Sequence, residues 1–220
     1  MDTPRIPLAA RLAFTAWMLL WVPLYWRANG WTNFFWLCDF ANFVILAAMW
    51  RGSALLASSQ LAGVLVIQAA WAIDFFGRLL SGSHPIGGTE YMFDAASPLW
   101  LRALSLFHVW TVPLLFWLVA RLGHDRRGWR LETAFAAVLV PAGQWLGTRE
   151  QNLNWTWAPF GVDQVWVPPL VWPLIAVPLM ALLLFWPGDL VVRRWMRARA
   201  GLSPAAGGRA ARLPPPAAAD

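Results

Sequence analysis

Long runs of uncharged apolar residues, each broken by arginine, glycine or asparagine, constrain this chain more than any other feature. The runs cover about 8–26, 33–50, 54–77, 99–122, 131–147 and 165–186. An apolar stretch of roughly 18 or more residues is long enough to cross a bilayer as a helix. In hydrocarbon the backbone must satisfy its own hydrogen bonds, which leaves helices or closed barrels. The expected fold is therefore all-α: a polytopic bundle of six transmembrane helices over residues 1–195. Residues 196–220, rich in Arg, Pro and Ala, have little to bury and are expected to form a disordered cytoplasmic tail.

The breaks are legible too. Asn29-Gly30 and Arg51-Gly52 read as tight turns, and Gly123 to Gly128 as a charged turn. The connection from Arg78 to Pro98 is longer and carries His84, Pro85, Gly87 and Gly88. Pro168, Pro169, Pro173 and Pro178 puncture the last run, which membrane helices tolerate. Arg5 and Arg11 before the first run resemble the start of a signal peptide. The run closes on Leu24-Tyr25-Trp26-Arg27 without a small-residue cleavage pattern, so it is read as the first span.

Charge gives the expected orientation. The 17 basic residues are all arginine and the net charge is +6, which in a soluble chain would suggest nucleic acid. Here the arginines lie between apolar runs, and charged residues are only 13% of the chain against about 25% in ordinary domains. With the N-terminus inside, Arg51, Arg121, Arg126, Arg127, Arg130, Arg193, Arg194, Arg197 and Arg199 all fall inside. Only Arg27, Arg78, Arg102 and Arg149 fall outside. That is the positive-inside pattern, with both termini cytoplasmic in a plasma (inner) membrane and lipids, not nucleic acid, as partners. Most of the 18 tryptophans lie near run ends, as in an interfacial belt.

Ionisable groups inside a bilayer are costly and mark candidate sites. In this topology Cys38 and Asp39, Asp74 with Arg78, Arg102, Ser105 and His108, and Gln144 all fall in the outer half. Arg149, Glu150, Asn152 and Asn154 lie just beyond, and the loops 78–98 and 151–157 are expected to fold over the cluster. The inner half is expected to be nearly pure hydrocarbon. Asp74 and Arg78, four apart, read as an ion pair. Cys38 is the only cysteine, which excludes an internal disulfide or a multi-cysteine metal site. His84, His108 and His124 fall in a loop, the bundle and the opposite turn, so neither a metal nor another cofactor is expected.

The stretch Leu37-Cys38-Asp39 with the later His108 resembles the six-span androgen-induced and androgen-dependent membrane hydrolases, related acyltransferases and YwaF-type bacterial proteins. The resemblance implies a lipid-directed hydrolase or acyltransferase, with Cys38 as nucleophile and His108 as base. Asp39 or Asp74 would then orient the imidazole, and the outer-half cluster itself gives Arg78, Arg102, Ser105, Gln144, Asn152 and Asn154 as candidate binding residues. The stretch from Asn33 to Asn154 is also similar to bacterial proteins described only as membrane-associated. Two alternatives remain open on the residues alone. One is a structural or assembly subunit bound to other membrane proteins. The other is a small proton-coupled transporter with Asp39 and Asp74 as carriers and Gln68 and Gln144 along its path. No internal repeat supports an inverted-repeat transporter.

Overall fold

The computed structural model describes residues 6–202. Among them there is no strand. The helices are α1 (Leu8–Asn29), α2 (Leu37–Arg51), α3 (Ala54–Ser81), α4 (Leu99–Ser105), α5 (Phe107–Leu122), α6 (Gly128–Leu146), α7 (Trp172–Met180) and α8 (Trp186–Leu202). A π turn over Ala181–Phe185 joins α7 to α8 through helical backbone, and α4 and α5 likewise run on through Leu106 as one rod. The chain therefore folds as an all-α bundle. Four rods, Leu8–Asn29, Ala54–Ser81, Leu99–Leu122 and Trp172–Gly201, are long and apolar enough to cross a membrane. The 15 residues of α2 fall short of the roughly 20 a span needs, and α6, at 19, carries Arg130 and Glu132.

Local chemistry sets the turns. Gly52 closes α2 at φ 62°, a left-handed conformation that costs glycine nothing, and Ser53 accepts the Leu56 N–H to cap α3. That short turn lays α2 and α3 side by side. The 28-residue α3 is the central post, packed against α2, α5, α6, α8 and the π turn. Leu19, Leu80, Trp145, Leu170 and Leu174 are each more than 70% exposed, apolar surface that suits lipid and not water.

The bundle has two distinct ends. At the Arg-rich end, the α5–α6 turn meets the start of α3 through Asp125 N–H donating to Ser58, and meets α8 through His124 and Asp189. At the loop end, Gln151 reaches Asn29 and Thr32, and Asn154 reaches Phe35 and Leu37. Helix α8 runs on through Leu202, past the point where hydropathy ends the bundle, because arginine and alanine are good helix formers. The rest of the expected tail, 203–220, lies outside the described residues.

Candidate functional site

The loop-end cluster is organised by an interruption in the α4–α5 rod. At Leu106 the hydrogen-bond ladder tightens: Val109 N–H donates to Leu106 and not to Ser105. The carbonyl of Ser105 is thereby freed, and Nδ1 of His108 lies 2.7 Å from it. A carbonyl only accepts, so Nδ1 carries the proton. In the neutral ring Nε2 is then the unprotonated nitrogen. The imidazole is held face to face with Trp71, with centroids 4.7 Å apart and planes 12° apart, and against Phe107 at 4.0 Å.

Ser105 also ties in the tyrosines. Its hydroxyl donates to Leu101 O, so the Tyr25 hydroxyl, 2.9 Å away, donates to Ser105. Tyr91 receives the Trp71 indole N–H at 3.2 Å, and its hydroxyl also approaches Ser105. More than a third of Tyr91 is exposed, but its hydroxyl is enclosed. Burial pushes that hydroxyl well above the usual tyrosine range. The Trp71 and Ser105 contacts pull it back, and the nearby Cys38 and Asp39 add to the upward push. Tyr25, Cys38, Asp39, Tyr91, Ser105, Trp71 and His108 thus occupy one layer.

Within that layer Asp39, 2% exposed, accepts from the Asn33 side chain at 2.5 Å. Asn42 Nδ2 turns back to the Cys38 and Asp39 carbonyls. Cys38 is half-buried against the main apolar core, and among the described residues no hydrogen bond joins it to His108. The orienting partner of the imidazole is therefore the Ser105 carbonyl. Neither Asp39 nor Asp74, the partners the sequence suggested, fills that place.

Asp74 does something else. Its Oδ1 accepts the N–H groups of Ile86 and Gly87, and its Oδ2 accepts from Thr89 and from His84 Nδ1 at 2.9 Å. The expected Asp74–Arg78 pair does not form. The Arg78 guanidinium lies over the Phe93 ring, 5.8 Å from its centroid. Helical spacing named Arg78 because it was near in sequence, but five donors from the loop saturate the carboxylate. Arg102 holds the Met92 carbonyl at 3.1 Å.

Both long connections are ordered caps. Asn152 and Asn154 adopt left-handed φ of 42° and 51°, which asparagine tolerates. Asn154 clamps the start of α2 by accepting from Leu37 N–H and donating to Phe35 O. Asn152 braces its own loop at Trp157 and Ala158. The two caps approach each other where Gly88 faces Trp155. The 84–89 segment covers Asp74, while 151–157 covers the α1–α2 junction.

The Arg-rich half is not the hydrocarbon that the sequence suggested. Glu132 on α6 and Gln60 on α3 are both fully buried, and Gln60 Nε2 donates to Glu132 Oε2 at 2.7 Å. Asp189, also fully buried, meets His124 Nε2 at 2.7 Å and Arg193 at 2.5 Å. The Arg193 contact is close but not aligned as a hydrogen bond. Midway up α3, Gln68 is buried with both side-chain polar atoms unpartnered, and Gln144 Nε2 on α6 is unpartnered as well. In the sequence Glu132 and Asp189 are masked, because each lies within a few residues of arginines that mark a run's edge. The triplet Ser58-Ser59-Gln60 was the available signal.

A groove of about 360 Å³ opens between α1 and α2, lined by Met18, Leu19, Val22, Phe43 and Leu46. Among the described residues no group of three or more His, Cys, Asp or Glu is placed to hold a metal ion. Comparison with family models, curated proteins and solved structures gives no match.

Proposed function

We propose that the chain is a six-span membrane protein, both termini cytoplasmic, whose loop end carries a lipid-directed hydrolase or acyltransferase site. The 3₁₀ turn Trp31–Phe35 precedes α2, separated from it by the extended Trp36, and would complete with it the crossing that 15 helical residues alone do not make. Cys38 is the nucleophile and Nε2 of His108 the base. The thiol proton passes to Nε2 and sulfur attacks the ester carbonyl. The ester C–O bond breaks and the alcohol leaves with that proton. Water or a second alcohol then cleaves the thioester.

The observation that carries this reading is the Ser105–His108 contact. It fixes the tautomer a base needs, in the layer that holds Cys38. The α1–α2 groove supports it: Phe43 and Leu46 lie five and eight residues beyond Cys38, about 8–12 Å down α2. Purified protein supplied with labelled phospholipid should release fatty acid or form acyl-transfer product, and Cys38→Ala and His108→Ala should each abolish it. Unchanged turnover by Cys38→Ala rejects the assignment.

A further inference from the structure

The Gln60–Glu132 contact is short of one atom. Gln60 Nε2 donates to Glu132 Oε2, yet Oε1 of Gln60 and Oε1 of Glu132, on the same two touching groups, are both buried and unpartnered. With an ionised carboxylate these are two acceptors and no donor. Buried polar oxygens without partners are rare and costly, and an unpaired buried charge more so.

We propose that Glu132 and Gln60 form a proton-binding site, with the carboxyl held as the neutral acid in a reciprocal acid–amide pair. The amide N–H donates to the acid carbonyl, Oε2. The acid O–H on Oε1 donates to the amide carbonyl, Oε1 of Gln60. One proton satisfies both orphaned atoms, and among the described residues no other group in contact supplies it. Gln60 Nε2 has a second contact at Ser59 Oγ, 3.0 Å away, which holds the amide in place.

The surroundings lack a counter-charge. Helix α6 packs against α3, α7, the π turn, α8 and the 3₁₀ turns Trp31–Phe35 and Leu153–Trp155. Asp74 and Arg78 of α3 lie at the loop end. On α8, Asp189 is engaged by His124 and Arg193, and Arg194, Arg197 and Arg199 lie further along. Asp125 is held by Arg127. Neither these nor Arg126 and Arg130 make a salt bridge or hydrogen bond with Glu132; among the described residues Gln60 is its only polar contact. Gly63 makes the room: a Cβ there would fall 2.4 Å from the Glu132 carboxyl, so the acid lies directly on the α3 backbone. The site is near the Arg-rich end, and Gln68, two turns further up α3 and unpartnered, is the next polar group.

Infrared difference spectroscopy on purified full-length protein at neutral pH tests this site, and its outcome is independent of the Cys38 proposal. The wild type should show the C=O stretch of a hydrogen-bonded protonated carboxyl. Glu132→Gln should remove that band, while Asp39→Asn leaves it. Because an amide copies the protonated acid, Glu132→Gln should also keep the wild-type melting temperature. Gln60→Met retains the acid but removes its partner, so the band should move to the frequency of a free carboxyl. Absence of the band in the wild type, or its persistence in Glu132→Gln, overturns the proposal. A band that vanishes in sodium but not in choline buffer also overturns it, because a metal cation then occupies the place given to the proton.

Discussion

His84 and Asp74 meet at 2.9 Å across the boundary between loop and helix, and the carboxylate gathers the whole 84–89 segment onto α3. Asp74→Ala leaves the donors of the buried Thr89 and of the partly exposed Ile86 and Gly87 unpaired, a loss of roughly 1–3 kcal/mol, the cost of an unsatisfied buried donor. Arg78→Ala removes only a ring contact, about 0.5–1 kcal/mol. Thermal unfolding in detergent should rank them in that order, with new protease cleavage between 82 and 89 for Asp74→Ala alone. Equal losses would mean that Asp74 does not anchor the loop.

Glycines set the spacing at the Arg-rich end. A Cβ at Gly63 would strike the Glu132 carboxyl at 2.4 Å, and one at Gly188 would lie 2.7 Å from the Ala62 carbonyl. Gly188→Ala has only backbone to displace and should cost about 1–3 kcal/mol, as overpacking does. Gly63→Ala should be rescued in part by Glu132→Ala, which removes the colliding group. Absence of rescue in that double-mutant comparison would place the Glu132 side chain elsewhere.

The bundle and its turns were legible because apolar runs, Gly52 and Ser53 report on backbone and solvent directly. The layer of Cys38, Asp39, Ser105 and His108 was legible because polar groups inside apolar runs stand out. The partners were not. Asp74 is saturated by Ile86, Gly87 and Thr89, and backbone donors from a loop carry no sequence signature. Glu132 was hidden by Arg130, since a charge beside a run's edge reads as solvated, yet the helix turns Glu132 inward and Arg130 outward.

Asp125 gives a pH dependence outside the membrane. Hydrogen bonds from the Arg127 side chain hold its carboxyl below the usual range, against the opposing effect of partial burial. Because the folded pKa lies below the unfolded one, the stabilisation is present above about pH 4 and is lost as pH falls through the folded value. Both side chains are partly exposed, so it is worth under about 1 kcal/mol. Asp125→Asn should therefore melt slightly lower than wild type at pH 7, and the gap should close in acid. A gap that widens in acid reverses the sign.

The proposed six-span topology predicts where reporters go. A reporter inserted at Gly87-Gly88 should be exported, and one fused after Arg199 should stay inside. Export of the second would remove a span, with α2, the shortest rod, the first to be reassigned.

The central claim is a nucleophilic Cys38 served by His108. Its most direct measurement is the covalent intermediate, trapped by incubating purified protein with a radiolabelled acyl phospholipid and quenching in acid. The account predicts a labelled chain whose acyl group is released by neutral hydroxylamine, as a thioester is. Cys38→Ala should carry none, and His108→Ala should form it far more slowly. Label that persists on Cys38→Ala, or a wild type that takes up none while turning lipid over, would contradict it.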